Sequence, residues 1–133
     1  MTIHGIGTDI VRVSRMEDSI RRHGERIAAR ILTAAELEEY RLSRLQARFL
    51  AKRFAAKEAM VKALGTGFSR GIGLRDVAVS HEPGGRPFLI CTGTAQRACE
   101  AIGITAMHLS LTDEAEYAVA FVVMERESTP STG

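Results

Sequence analysis

Residues 45–64 carry the pattern that constrains the fold most. Leu50, Phe54, Val61 and Leu64 recur at helical spacing, and Gly65 follows as a stop. A helix of that length runs about 30 Å, the full width of a small domain. In a chain of 133 residues such a helix has to be the central element. That length fits one ordinary domain and not two.

The other segments read as shorter elements. Residues 3–11 read as a strand, with Ile6, Thr8 and Ile10 on one face and Gly5, Gly7, Asp9 and Val11 on the other. The two glycines leave bare backbone beside Asp9, where something bulky can approach. A helix is expected next, with Ser14 as its N-cap and His23-Gly24 as its stop. Thr33 and Glu36 fit a capping box that opens a short helix to about residue 40. Residues 66–73 are glycine-rich and read as a loop.

The second half reads as mostly strand. Residues 77–80 and 87–91 flank Pro83-Gly84-Gly85-Arg86, a hairpin turn signal. Residues 94–102 form a short helix, capped by Thr92 or Thr94 and stopped by Gly103. Residues 104–112 alternate, with Thr105, Met107, Leu109 and Leu111 opposite His108, Ser110 and Thr112. Residues 117–124 are apolar on both faces, as an inner strand is. No internal repeat or linker interrupts this order. The expectation is one α+β domain over residues 1–125, its long central helix packed on a small antiparallel sheet, with a frayed polar tail over 126–133.

Composition narrows the function. With 45% apolar and 26% charged residues the chain matches ordinary globular usage and not a disordered or fibrous one. No apolar run is long enough to span a bilayer, and residues 1–5 do not read as a secretion signal. Cys91 and Cys99 form no CxxC pair and read as buried or semi-buried thiols in a reducing, cytoplasmic compartment. Charge is uneven. Residues 1–62 hold 13 Lys/Arg against 8 Asp/Glu, a net +5, and residues 63–133 hold 5 against 8, a net −3. The basic half calls for an anionic partner. With two Tyr and no Trp there is little to stack on bases, so a phosphorylated small molecule or an acidic protein fits better than nucleic acid.

Several groupings can carry chemistry. Glu58 and Lys62 stand four apart on one helix face, where they form either a surface ion pair or a carboxylate for a hard cation beside an ammonium for phosphate oxygens. Asp9 is the candidate second carboxylate. His108, Ser110 and Thr112 form either a solvated sheet face or a row of donors for a phosphate or ribose. The loop after Gly65 has neither the order of a P-loop nor that of a Rossmann turn. Arg15, Arg21, Arg22, Arg26 and Arg30 form either a solvated helix face or a protein-docking surface.

Taken together these segments resemble a known family. Its first motif resembles Gly5-Ile6-Gly7-Thr8-Asp9-Ile10, and its second resembles Phe54-Ala55-Ala56-Lys57-Glu58-Ala59 followed by Lys62. Arg30-Ile31-Leu32-Thr33 lies between them, and Gly65-Thr66-Gly67, Gly85-Arg86-Pro87 and His108-Leu109-Ser110-Leu111-Thr112 come after. The family is the 4′-phosphopantetheinyl transferases, in their short bacterial type, and the likeness runs over residues 2–125. It implies transfer of 4′-phosphopantetheine from coenzyme A to a serine of apo-acyl carrier protein, with release of adenosine 3′,5′-bisphosphate, for fatty-acid synthesis. It also implies dependence on Mg²⁺ and a homotrimer with each active site at a subunit interface.

Carried over by position, the resemblance makes Asp9 and Glu58 the Mg²⁺ ligands and Lys62 the contact to the phosphates. Glu58, directly or through a metal-bound water, is also the implied base toward the serine hydroxyl. Arg53 and His108 match positions associated with the 3′-phosphate of coenzyme A, and Phe54 lies beside Arg53 in the second motif. Thr112, Gly65, Thr66, Gly67, Arg86 and Pro87 would lie near the nucleotide, some of them contributed by a neighbouring subunit. Arg15, Arg22, Arg26 and Arg30 would dock the acidic carrier protein, in keeping with the basic first half. The chain departs from many relatives in carrying Asp113 where they carry His. The alternatives are a trimer that binds coenzyme A without chemistry and a carrier-binding module.

Overall fold

A computed structural model describes residues 1–128. The elements run β1 (Thr2–Arg12), α1 (Val13–His23), α2 (Glu25–Ile31), α3 (Ala34–Leu42), α4 (Gln46–Leu64), a single 3₁₀ turn (Leu74–Asp76), β2 (Val77–His81), β3 (Pro87–Cys91), α5 (Gly93–Ile102), β4 (Ile104–Asp113) and β5 (Tyr117–Arg126). The class is α+β, as expected. One antiparallel sheet has the order β1-β5-β4, and β2 and β3 form a separate hairpin.

Helix α4 is the centre. Leu50, Ala51, Ala55, Ala56, Ala59, Met60, Val61, Ala63 and Leu64 are all buried. Five of these are alanines, whose short side chains let strands and helices approach from several sides. One side of α4 lies on β1 and β5, and the others meet α1, α2, α3 and β2. Gly65 ends the helix in the left-handed conformation at φ 94°, and its N–H donates to the Val61 and Lys62 carbonyls.

Strand β5 is the inner strand, paired with β1 and β4. Ala118, Ala120, Val122 and Met124 are buried toward α4. The opposite face carries Val119, Phe121 and Val123. Across the register it continues into Ile6, Thr8 and Ile10 on β1 and His108, Ser110 and Thr112 on β4. A bulge between Ile104 and Ala106 takes Thr105 out of the alternation expected with Met107.

Two local expectations change, and one element is added. Helix α1 starts at Val13, so Ser14 lies inside its first turn and caps nothing. The Val13 N–H donates instead to the Glu116 carbonyl at 2.8 Å, so a tertiary contact takes the place of a side-chain cap. Residues after Gly24 form the separate helix α2, and Gly24 turns the chain at φ 60°. Arg126 belongs to β5 and not to a tail; Glu127 and Ser128 are exposed coil, and the rest of the expected tail lies outside the described residues.

The capping box is present, with Glu36 N donating to Thr33 Oγ1 and Thr33 N donating to Glu36 Oε1. Glu36 has a second role, however. It is almost fully buried, and its carboxylate also accepts from Lys57 Nζ at 2.6 Å, Val79 N at 3.0 Å and Arg53 Nη1 at 3.3 Å. Lys57 Nζ donates further to the Ile31 carbonyl at 2.6 Å. Burial raises the Glu36 carboxyl, but Lys57 and the N–H donors outweigh it and hold the group below the ordinary glutamate value. Burial likewise pulls Lys57 down against the attraction of Glu36. This ionised knot fastens α2, α3, α4 and β2 together. Cys91 and Cys99 are free, the first half-buried and the second buried, as expected.

Candidate active site

The site is built where β1 crosses α4. Gly5 and Gly7 face the helix with no side chain between. A Cβ on Gly7 would overlap the Ala59 carbonyl oxygen and come within 2.7 Å of Ala63 N, and one on Gly5 would overlap the Ala63 carbonyl oxygen. The bulky neighbour expected beside these glycines is therefore α4 itself. Two residues further along the same face, Asp9 reaches the last turns of that helix.

There the three central candidates meet. Lys62 Nζ donates to Asp9 Oδ1 at 2.9 Å and to the Thr8 carbonyl at 3.1 Å. Glu58 lies one turn earlier on α4 and is half-buried. Burial raises its carboxyl above the ordinary glutamate value and the Asp9 charge raises it further, against the pull of Lys62 and Arg15. Glu58 thus feels the charges of a second carboxylate, of one ammonium and, from α1, of one guanidinium. Hard oxygen donors in that number suit a cation of the Mg²⁺ type, which takes one or two carboxylates and completes its shell from water and phosphate. Among the described residues no group of three or more His, Cys, Asp or Glu forms a protein cage for a metal.

The remaining expected site residues fall into three groups. Phe54 stands one turn before Glu58 on α4, and Gly65-Thr66-Gly67 forms the turn that ends α4, so these adjoin the cluster along the chain. Arg86 and Pro87 lie at the tip of the β2–β3 hairpin, where the Glu82 N–H donates to the Arg86 carbonyl. His108 and Thr112 lie on the face of the sheet opposite Asp9, and His108 Nε2 is 3.1 Å from Glu125 Oε2. Within one chain, hydrogen bonds and ion pairs among the described residues join neither the second nor the third group to the cluster.

Arg53 sits differently from expectation. It is 4% exposed, bonded to Glu36, Glu39 and the Val79 carbonyl, and stacked 4.3 Å from the Phe49 ring centroid. Its guanidinium is already matched by two carboxylates, so in the single chain it serves the buried knot and not an open phosphate site.

The arginines are on the surface as expected. Arg15 and Arg22 line a depression of about 430 Å³ with Arg12, Asp18, Ser19 and His23. Arg26 and Arg30 line a neighbouring one of about 300 Å³. Arg15 joins this surface to the cluster through its charge on Glu58. A further basic cavity of about 460 Å³ holds Arg44, Arg48 and Lys52. Asp113 accepts there from Arg48 Nε at 2.6 Å, so it offsets part of that charge. Sequence reasoning missed the Thr8 carbonyl as a partner of Lys62, because a backbone acceptor has no side-chain signature. It also missed Lys57, whose motif position gives no sign of burial.

No helix among the described residues is long and apolar enough to cross a membrane. A family model described as the 4′-phosphopantetheinyl transferase superfamily matches residues 5–122. The chain is similar to the holo-[acyl-carrier-protein] synthase of Halorhodospira halophila, 55% identical over 122 residues that cover 92% of this chain and 97% of that one. The fold matches the crystal structure of holo-[acyl-carrier-protein] synthase from Neisseria meningitidis with a TM-score of 0.88 and 40% identity, over 94% of this chain and all of that one (100%). It also matches the Bacillus anthracis holo-(acyl-carrier-protein) synthase in complex with CoA (3′,5′-ADP), with a TM-score of 0.78 and 37% identity over 96% of this chain and 100% of that one.

Proposed function

The chain belongs to the 4′-phosphopantetheinyl transferase superfamily, and we propose that it moves 4′-phosphopantetheine from coenzyme A to a serine hydroxyl of apo-acyl carrier protein, in the service of fatty-acid synthesis. The serine oxygen forms a bond to phosphorus, the pyrophosphate P–O bond breaks, and adenosine 3′,5′-bisphosphate leaves. The convergence of Asp9, Glu58 and Lys62 at the crossing of β1 and α4 is the observation that carries this reading. The similar Bacillus anthracis protein, solved with CoA, supports the choice of co-substrate.

Phosphoryl transfer asks the protein for position and charge more than for covalent help. Asp9 and Glu58 are the residues that would hold Mg²⁺, which supplies Lewis-acid neutralisation of the pyrophosphate when bound. Lys62 offsets charge that grows on the departing nucleotide. Glu58, directly or through a water, would take the serine proton. Phe54 and the Gly65-Thr66-Gly67 turn border this centre from the same chain.

The remaining parts come together in an assembly of three copies. The outer face of the β1-β5-β4 sheet exposes Ile6 to 61%, Ile10 to 62% and Phe121 to 42%, an apolar patch suited to burial against another copy. His108 and Thr112 lie on that face, so burying it would carry them to a neighbour's nucleotide. Arg86 and Pro87 at the hairpin tip are the further candidates for that contact. Arg15, Arg22, Arg26 and Arg30 on α1 and α2 form the dock for an acidic carrier protein, and binding there weakens with added salt. The domain would then run from residue 1 to the end of β5 at Arg126.

Chromatographic assay of adenosine 3′,5′-bisphosphate tests the chemistry. With coenzyme A and apo-carrier present the protein should release it, and Glu58→Gln should lose at least about 100-fold in rate, as removal of a general base does. Near-normal release by a folded Glu58→Gln protein would remove Glu58 from the mechanism.

A further inference from the structure

Lys62 is bonded to the carboxylate that the proposed cation needs. Its Nζ lies 2.9 Å from Asp9 Oδ1 and is steadied by the Thr8 carbonyl at 3.1 Å. The same side chain is 49% exposed, and Asp9 is 17% exposed. A long, half-solvated lysine can leave such a contact at little cost, because a partly exposed ion pair is weak. The second carboxylate, Glu58, lies one turn before Lys62 on α4 and feels the charges of both Asp9 and Lys62. Without a cation, two close carboxylates repel, and the ammonium relieves that repulsion.

We propose that Lys62 is an exchangeable counter-ion, holding Asp9 while no divalent cation is present and passing to a phosphate group of the substrate when one enters. The inference rests on the reading of Asp9 and Glu58 as cation ligands and adds a second position for Lys62. Its consequence is linkage. The ammonium competes with the cation for Asp9, so the lysine opposes binding of a divalent ion on its own. A phosphate-bearing ligand that accepts the released ammonium removes the opposition. Cation and ligand therefore bind with positive coupling, equal in both directions, and part of it passes through Lys62.

Electron paramagnetic resonance of free Mn²⁺ measures this on the full chain, without turnover. Lys62→Met should bind Mn²⁺ alone more tightly than the wild type, by up to about fivefold, the range set by a partly exposed ion pair. Coenzyme A should then tighten Mn²⁺ binding less in the variant than in the wild type. Arg15→Gln is the control, because it removes a cation that acts on Glu58 without a bond to Asp9. Lys62→Gln is a second variant, and circular dichroism checks the fold of each. Equal Mn²⁺ affinity in Lys62→Met and Arg15→Gln would overturn the exchange while leaving the cation site standing. Absence of Mn²⁺ binding to the wild type, even with coenzyme A, would overturn the cation site and the exchange with it.

Discussion

Gly7 sets the distance between β1 and α4, and with it the position of Asp9. A methyl group there would meet the Ala59 carbonyl oxygen and Ala63 N, both backbone atoms of a helix that cannot yield locally. Gly7→Ala should therefore push the strand away, at about 1–3 kcal/mol of stability for overpacking. Asp9 would move off Lys62 with it, so turnover should fall as well. Denaturant midpoints and initial rates read the two effects. Wild-type values in both would mean that the close approach is not needed. At this scale the sequence was informative: bare glycines beside Asp9, with Glu58 and Lys62 one turn apart, marked the cluster. The Lys62 contact to the Thr8 carbonyl was invisible, because it depends on which backbone the folded strand presents.

Between elements, one carboxylate does most of the joining. Glu36 accepts from Thr33, Lys57, Arg53 and Val79, and so ties α3 to α4 and β2. Lys57→Met would leave that carboxylate buried without its closest cation, and should cost about 3–5 kcal/mol of stability, read from denaturant unfolding. The pH dependence follows from the lowered Glu36 value. The unfolded chain binds the proton more readily than the folded one, so the contribution is fully present above about pH 4.3. It is lost as pH falls through the lower folded value. Glu36→Gln should flatten that acid limb, and an unchanged limb would place acid sensitivity elsewhere. Helix α1 gives a second prediction. Arg15→Glu should raise the apparent KM for acyl carrier protein more than that for coenzyme A, and equal increases would argue against this helix as the dock. Most elements were legible from periodicity and stops, α4 and β5 above all. The start of α1 was not, because its first N–H is met by Glu116, more than a hundred residues away. The intrachain partners of Arg53 were not legible, because a motif position does not reveal which carboxylates will surround it.

For the whole molecule, the sheet has one finished face and one unfinished face. The finished face covers α4, while the other shows Ile6, Ile10 and Phe121 to solvent. His108 and Thr112 stand on the unfinished side, away from Asp9. A single chain therefore holds the centre of the proposed site but not its nucleotide-binding periphery. Light scattering at micromolar concentration should give the mass of three chains, and Ile10→Asp should shift it toward one while lowering activity. An active monodisperse monomer would contradict a site shared between copies. The α+β architecture was readable in the order of its segments. That Asp9 and His108 stand on opposite faces of the same sheet was not, because it depends on pairing across distant strands.

The proposed transfer of phosphopantetheine can be followed on the carrier protein itself. Intact-mass spectrometry of apo-acyl carrier protein, after incubation with this protein, coenzyme A and Mg²⁺, tests it most directly. The account predicts a mass gain of one phosphopantetheine group, abolished by EDTA and by Glu58→Gln. No gain on a carrier that a second transferase does modify, under the same conditions, would contradict it.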